Sequence, residues 1–187
     1  MKEFEIETNT IVKNGRKIVY VCLRCIEGVC GSIIDKLRED DVDELCLITI
    51  KLKINEKNRK IVMTDFYNNV TKYGRGLSHL SQKLKGGARA ILCMLLKKAV
   101  NAGLLRMDDY VLLEASGDLQ DEEGEDLPME NLVNYYKMLG FEVSDPSTYE
   151  KQLDNMAVFM EGKVENLLDK CTSVSISPEL QSIIDRM

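Results

Sequence analysis

Tryptophan is absent from the 187 residues, histidine occurs once and proline three times. The lone histidine, His79, excludes any site that needs two. With prolines only at 128, 146 and 178, most of the chain is free to form regular structure. Long hydrophobic runs are missing too. The longest uncharged apolar stretch, Ile91 to Leu96, falls far short of the roughly 20 residues that a bilayer span needs. The opening MKEFEIETNT has no apolar signal-peptide segment. The expectations are an intracellular, cytoplasmic setting and no membrane partner. No internal repeat or low-complexity tract is present.

What is there fits one soluble globular domain: 44% of residues are apolar and 30% charged. Acids outnumber bases 31 to 25, and the net charge of -6 argues against nucleic acid held by bulk electrostatics. That excess is local. The run DLQDEEGED, Asp118 to Asp126, carries six acids and no base, so the rest of the chain is neutral.

Six cysteines, with no leader segment, read as reduced and buried thiols, Cys46 and Cys93 among them. Cys22, Cys25 and Cys30 have a C-x2-C-x4-C spacing, but IVYVCLRCIE reads as a strand. Residues three apart on a strand face opposite ways, so Cys22 and Cys25 do not converge on one ion, and no metal is expected.

Periodicity sets out the elements. Phe4 to Val12 and Lys17 to Ile26 flank Asn14-Gly15, a dipeptide suited to a tight hairpin turn. Ser32 to Glu39 reads as a short helix. LCLITIKLKI and KIVMTDFY flank NEKNR as a second hairpin, and GLSHLS reads as a further short strand. In KLKGGARAILCMLLKKAVNAG, the residues Ala88, Ile91, Leu92, Leu95, Ala99 and Ala102 recur at helical spacing, with Lys97, Lys98 and Asn101 opposite and Gly103 as the C-terminal cap. DYVLLEAS is almost wholly apolar and is expected to be a central strand covered on both faces. Pro128 opens a helix that runs to Leu139 and stops at Gly140, after which Phe141-Glu142-Val143 and MAVFME return to strand. Ser177 caps a last short amphipathic helix carrying Leu180, Ile183 and Ile184, which docks on its own domain or on the second subunit of a homodimer. The class is mixed α/β (α+β), with a main domain over 1–171 and a C-terminal tail over 172–187.

Two places carry candidate chemistry. The turn Lys85-Gly86-Gly87-Ala88 leads into the strongest helix, where free backbone amides and the helix dipole favour an anion, and Lys83, Lys85 and Arg89 add positive charge. A glycine-eased turn with solvated lysines is the structural alternative. Neither the P-loop pattern nor the Rossmann glycine pattern is present. Glu114 is the one ionisable side chain inside an apolar strand, where burial would raise its pKa and suit it to accept a proton.

Lys83-x-x-Gly86-x-Ala88 opening a helix, then the strand VLLEAS, then a helix ending in Tyr136-x-x-x-Gly140-Phe141, resembles the GNAT superfamily of acetyl-CoA-dependent N-acetyltransferases. The resemblance runs from about Leu45 to Met160 and implies a mixed, mostly antiparallel twisted sheet flanked by helices. It implies acetyl-CoA as acetyl donor, with the backbone of Leu80 and its neighbours pairing with the pantetheine arm and the amides from Lys85 to Arg89 on the pyrophosphate. Tyr136 then matches the family tyrosine that protonates the departing thiolate. Glu114, or else His79 or a water, accepts the proton of an amine-bearing acceptor, to which the acidic loop would add attraction if the acceptor is cationic. The alternative is a non-catalytic acyl-CoA-binding or protein-interaction module, since Lys83 and Met129 stand where the family commonly has other residues.

Overall fold

The computed structural model describes residues 4–25, 46–68, 84–116, 119–120, 126–173 and 175–186. The expected helix over Ser32 to Glu39, the strand GLSHLS, His79, Leu80 and Lys83 lie outside the described residues.

Both hairpins form. Strand β1 (Phe4–Lys13) pairs with β2 (Arg16–Cys25) in an unbroken antiparallel register that closes at Lys13 opposite Arg16. Asn14 and Gly15 between them take φ of 52° and 70°, the positive angles a two-residue hairpin turn requires. Strand β3 (Cys46–Asn55) continues the sheet beside β2 and turns into β4 (Lys60–Asn68). Helix α1 (Gly87–Asn101) then crosses to β5 (Tyr110–Ser116), which lies parallel to β4. After a small hairpin of β6 (Leu119–Gln120) and β7 (Asp126–Leu127) come α2 (Met129–Leu139), β8 (Glu142–Val143), α3 (Tyr149–Asp154), β9 (Ala157–Lys163), α4 (Val164–Asp169) and α5 (Pro178–Asp185). The main sheet has seven strands in the order β1-β2-β3-β4-β5-β9-β8, antiparallel throughout except between β4 and β5. The mixed, mostly antiparallel α/β class is therefore the observed one.

One face of the sheet holds the core. Ile48, Ile50, Leu52 and Ile54 of β3, Ile61 of β4 and Val111, Leu113 and Ala115 of β5 alternate inward and are buried. Helix α1 packs on them and is itself enclosed, because α4 and α5 cover its other side. Ala88, Ile91, Leu92, Leu95 and Ala99 are buried as their spacing predicts, but so are Ala90, Cys93, Met94 and Leu96, while Ala102 is exposed. The tail helix docks on its own domain, against α1 and β1, with Leu180 and Ile183 buried and the Ser177 side chain accepting from the Leu180 amide at 3.2 Å.

Two expectations fail. Strand β5 is central but not covered on both faces: Tyr110, Glu114 and Ser116 are exposed, alternating with the buried residues. An apolar run gives no alternation to read when Leu112, on the open side, is as apolar as the core. The thiols also differ from expectation. Cys22 of β2 is bonded to Cys46 of β3, and Cys93 of α1 to Cys171, with Cα separations of 5.5 and 5.7 Å. These partners lie 24 and 78 residues apart, so only the folded chain brings them together. Disulfides are rare in the cytosol, so the reduced-thiol reading falls and the expected cytoplasmic setting loses that support. Among the described residues no helix is long and apolar enough to cross a membrane.

A buried ion pair fastens the entry of β5. Asp109 is 8% exposed and accepts from Arg59 through both Nε and Nη2, and from the Arg106 amide at 2.7 Å. Arg59 ends the β3–β4 turn with φ of 55°, and the Asp109 carbonyl accepts from the Val164 amide at the start of α4. One residue, through its carboxylate and its backbone carbonyl, thus ties together the bases of β4, β5 and β9. Removing one partner of a buried pair leaves the other charge uncompensated, which costs about 3–5 kcal/mol when both are fully buried. Arg59→Ala, which strands the buried Asp109 carboxylate, is expected to lose about 3 kcal/mol in urea unfolding; Asp109→Ala should lose less, since the Arg59 left behind keeps some water.

Candidate functional site

The sheet opens where β4 and β5 run side by side. Their pairing covers only Ile61 to Met63 against Val111 to Leu113. Beyond Met63, β4 continues to Asn68 bonded to β3 on its other side, and β5 continues to Ser116 bonded to β9. The cause is a bulge: Leu52 faces Met63 but Lys51 faces Asp65, so Thr64 is an extra residue and β4 bends just where its contact with β5 ends. Among the described residues no strand fills the gap. Backbone amides and carbonyls along such a gap need partners, and an extended chain with amide groups of its own can supply them.

Aromatic rings line the core side of the opening. Phe66, past the bulge, lies 5.9 Å from the Tyr136 ring and 6.1 Å from the Tyr135 ring, both on α2. Phe141 meets Tyr136 edge-on at 6.0 Å. The helix ends as the sequence predicts, with Gly140 at φ 103° and the Phe141 amide donating back to the Tyr136 carbonyl. Tyr136 is 7% exposed. Burial pushes the neighbouring Tyr135 phenol up to about 12, opposed by the Arg89 guanidinium.

The glycine turn reaches the same end of the sheet. A side chain on Gly87 would meet Ile48 Cδ1 at 3.1 Å, and Ile48 faces Asn68 at the end of β4. Gly86 takes φ 74°, α1 has no acid in its first turn, and Arg89 stands near Tyr135. Lys85, Gly86, Gly87, Ala88 and Arg89 thus share one turn beside Tyr135, and Tyr136 follows with its ring 5.8 Å from that of Tyr135.

Part of the turn is already occupied by the chain itself. Arg89 Nη2 donates to the Lys170 carbonyl, a Cβ on Gly86 would lie 2.9 Å from the Ser175 carbonyl oxygen, and one on Gly87 would lie 3.1 Å from Leu180 Cδ2. Residues 170–173 and 175–180 thus lie beside the start of α1, with the Lys170 carbonyl on Arg89 and the Ser175 carbonyl against Gly86, and Cys171 is bonded to α1 through Cys93.

Glu114 is not placed as expected. It is exposed, not buried, on the side of the sheet away from α1 and α2, directly across from Phe159 of β9. Tyr136 packs on the core side, so the sheet separates the two and only the gap connects them. Of the acidic loop, only its flanks at 119–120 and 126 fall within the described residues. No group of three or more His, Cys, Asp or Glu side chains among the described residues is arranged to hold a metal.

Phe66, Tyr135 and Thr64 were not singled out by sequence reasoning. Tyr135 adjoins Tyr136 on the flank of the apolar face of α2, a detectable signal; the bulge at Thr64 leaves none in TDFY. Comparison of the chain with protein-family models, curated proteins and solved structures finds no match.

Two measurements probe this arrangement. Gly86→Ala is expected to cost about 1–2 kcal/mol for the left-handed backbone and more for its contact with Ser175, and to speed proteolysis after residue 170. Gly15→Ala, at φ 70° with nothing within 4 Å, isolates the backbone share. For Tyr135, an unfolded phenol ionises near 10, so above that pH the unfolded state sheds protons before the native state does. The stabilising share of the neutral phenol is complete below about pH 10 and is lost as pH rises through about 12. Urea midpoints of wild type should fall over that window more steeply than those of Tyr135→Phe.

Proposed function

We propose that this chain is an N-acetyltransferase that moves the acetyl group of acetyl-CoA directly to a primary amine of a polyamine, a lysine side chain or a small molecule. The observation that carries the reading is the gap between β4 and β5, which no described strand fills, with Phe66 and Tyr136 on its core side and the glycine turn of α1 at the same end of the sheet. The motif order Lys83 to Ala88, Val111 to Ala115 and Tyr136 to Phe141 supports it independently, as a likeness to GNAT enzymes.

In this reading the pantetheine arm lies along the open backbone of β4 and the neighbours of Leu80, exchanging amide hydrogen bonds as an added strand would. Amides from Lys85 to Arg89 hold the pyrophosphate, with charge from Arg89 and Lys83. The thioester then enters the gap beside Phe66 and Tyr136. The amine approaches from the opposite face, where Glu114, directly or through a water, accepts its proton. Its nitrogen attacks the carbonyl carbon, the C–S bond breaks, and the Tyr136 hydroxyl protonates the thiolate and regains its proton from solvent. Separation of Glu114 from Tyr136 by the sheet suits this division, because donor and acceptor come from different sides.

A specific observation favours a second reading. The placement of residues 175–180 against Gly86 and Gly87 accounts for both glycines by packing alone, as expected of a non-catalytic acyl-CoA-binding or interaction module that keeps the fold.

Incubation with acetyl-CoA and a panel of polyamines, lysine peptides and small amines, following free thiol, is expected to give release above hydrolysis. Tyr136→Phe should lower kcat about 10²-fold or more with coenzyme affinity little changed, and Glu114→Gln should lower it comparably at neutral pH. Tight coenzyme binding by calorimetry without transfer to any amine would establish the second reading.

A further inference from the structure

The two edges of the main sheet are treated oppositely. One ends in β8, only two residues long, too short to recruit another strand. The other ends in β1, which is ten residues long, has no bulge and no proline, and is exposed from Glu7 to Lys13. Ile11 and Val12 are exposed apolar residues on opposite faces of this strand. A long, flat, β-branched edge is a template for another strand.

The tight turn decides which backbone groups are free. Closing at Lys13 and Arg16 directs the N–H and C=O of the odd-numbered residues of β1 towards β2, and those of Phe4, Ile6, Thr8, Thr10 and Val12 outward. Around Asn9 the strand reads Glu5-Ile6-Glu7-Thr8-Asn9-Thr10-Ile11-Val12-Lys13. Threonines flank the centre, β-branched Ile6 and Val12 stand at matching distances on the core face, and a carboxylate at one end matches an ammonium at the other.

We propose that β1 pairs antiparallel with β1 of a second copy of this chain about a two-fold axis at Asn9, joining both sheets into one. This register sets Thr8 against Thr10, Ile6 against Val12 and Glu5 against Lys13 of the other copy, twice each. It uses four of the five outward-facing residues in hydrogen-bonded pairs and covers exposed Val12 with Ile6. Glu5 and Lys13 are both exposed, so each is available to the other copy. A parallel pairing would place like charges together. A register centred on Thr10 would set Lys13 against Glu7, which already pairs with Arg24 at 2.8 Å, and Val12 against Thr8 in place of Ile6; one centred on Thr8 would set Ile6 against Thr10 and leave Val12 without it. The self-complementarity of charge and side-chain size selects a second copy as the occupant of this edge. The interface lies at the edge opposite β8 and is independent of the acetyltransferase reading.

Analytical ultracentrifugation should show the mass rising towards twice the monomer value with concentration. At a non-hydrogen-bonded central pair the Cα atoms lie about 4.5 Å apart, within disulfide range, so Asn9→Cys should cross-link two copies under mild oxidation. Ile11→Cys should not, because its two copies would stand about 14 Å apart. Lys13→Glu should weaken association at least tenfold, and the Glu5→Lys/Lys13→Glu double variant should restore it; all these sites are solvent-exposed, so circular dichroism should stay unchanged. A protein that remains monomeric at millimolar concentration would overturn the proposal. So would a dimer in which Asn9→Cys fails to cross-link and Lys13→Glu has no effect.

Discussion

Three residue pairs of parallel strand, Ile61 to Met63 against Val111 to Leu113, join the two halves of this molecule's sheet. On one side are β1 to β4, a run of sequential antiparallel neighbours; on the other are β5, β9 and β8. Two features set the length of that contact. Asp109, held by Arg59 and by the Arg106 amide, fixes the start of β5 against the turn before β4. The extra residue Thr64 bends β4 away immediately after Met63. A clamp at one end and a bulge at the other produce a wedge, and the wedge is where backbone hydrogen-bonding capacity faces a space that the described strands do not fill.

The wedge organises the rest. Because β4 leads to α1 and β5 leads towards α2, both helices begin near its open end and pack on the same face of the sheet. The glycine turn and the aromatic group of Phe66, Tyr135, Tyr136 and Phe141 consequently share that side. Strand alternation puts Glu114 on the other. In the proposed reaction Tyr136 as acid and Glu114 as base would be separated by the sheet and could act together only through an opening, which is why the gap carries the functional reading rather than any single residue.

Much of the framework was legible. Asn14-Gly15 marked the first hairpin, the alternation of Leu52 and Ile54 with Lys51 and Lys53 marked the second, and Gly103 and Gly140 marked two helix ends. These signals are local, each acting within a few residues. What stayed hidden depends on contacts between distant segments. The partners of Cys22 and Cys93, the covering of α1 on both sides, and the placement of Ser175 against Gly86 all arise only after collapse. Glu114 illustrates the limit. A carboxylate between Leu113 and Ala115 reads as buried because its neighbours are apolar, yet strand geometry turns neighbours to the opposite face, and its own face is open.

The chain lying beside the start of α1 bears on how any anion would reach it. Two carbonyl oxygens, of Lys170 and Ser175, lie where the helix dipole and the Arg89 side chain favour negative charge, and peptide carbonyls are weaker partners for such a site than a phosphate. A bound pyrophosphate would therefore gain electrostatically over the internal occupant but would have to shift a segment fastened at Cys171 and anchored by Leu180 and Ile183. The attachment points lie on either side of Ser175. The middle of the segment is held as well, by the Ser175 carbonyl over Gly86 and by Ile176 packed against the core, so the proposed anion site is one that the folded chain itself covers and a coenzyme would have to uncover.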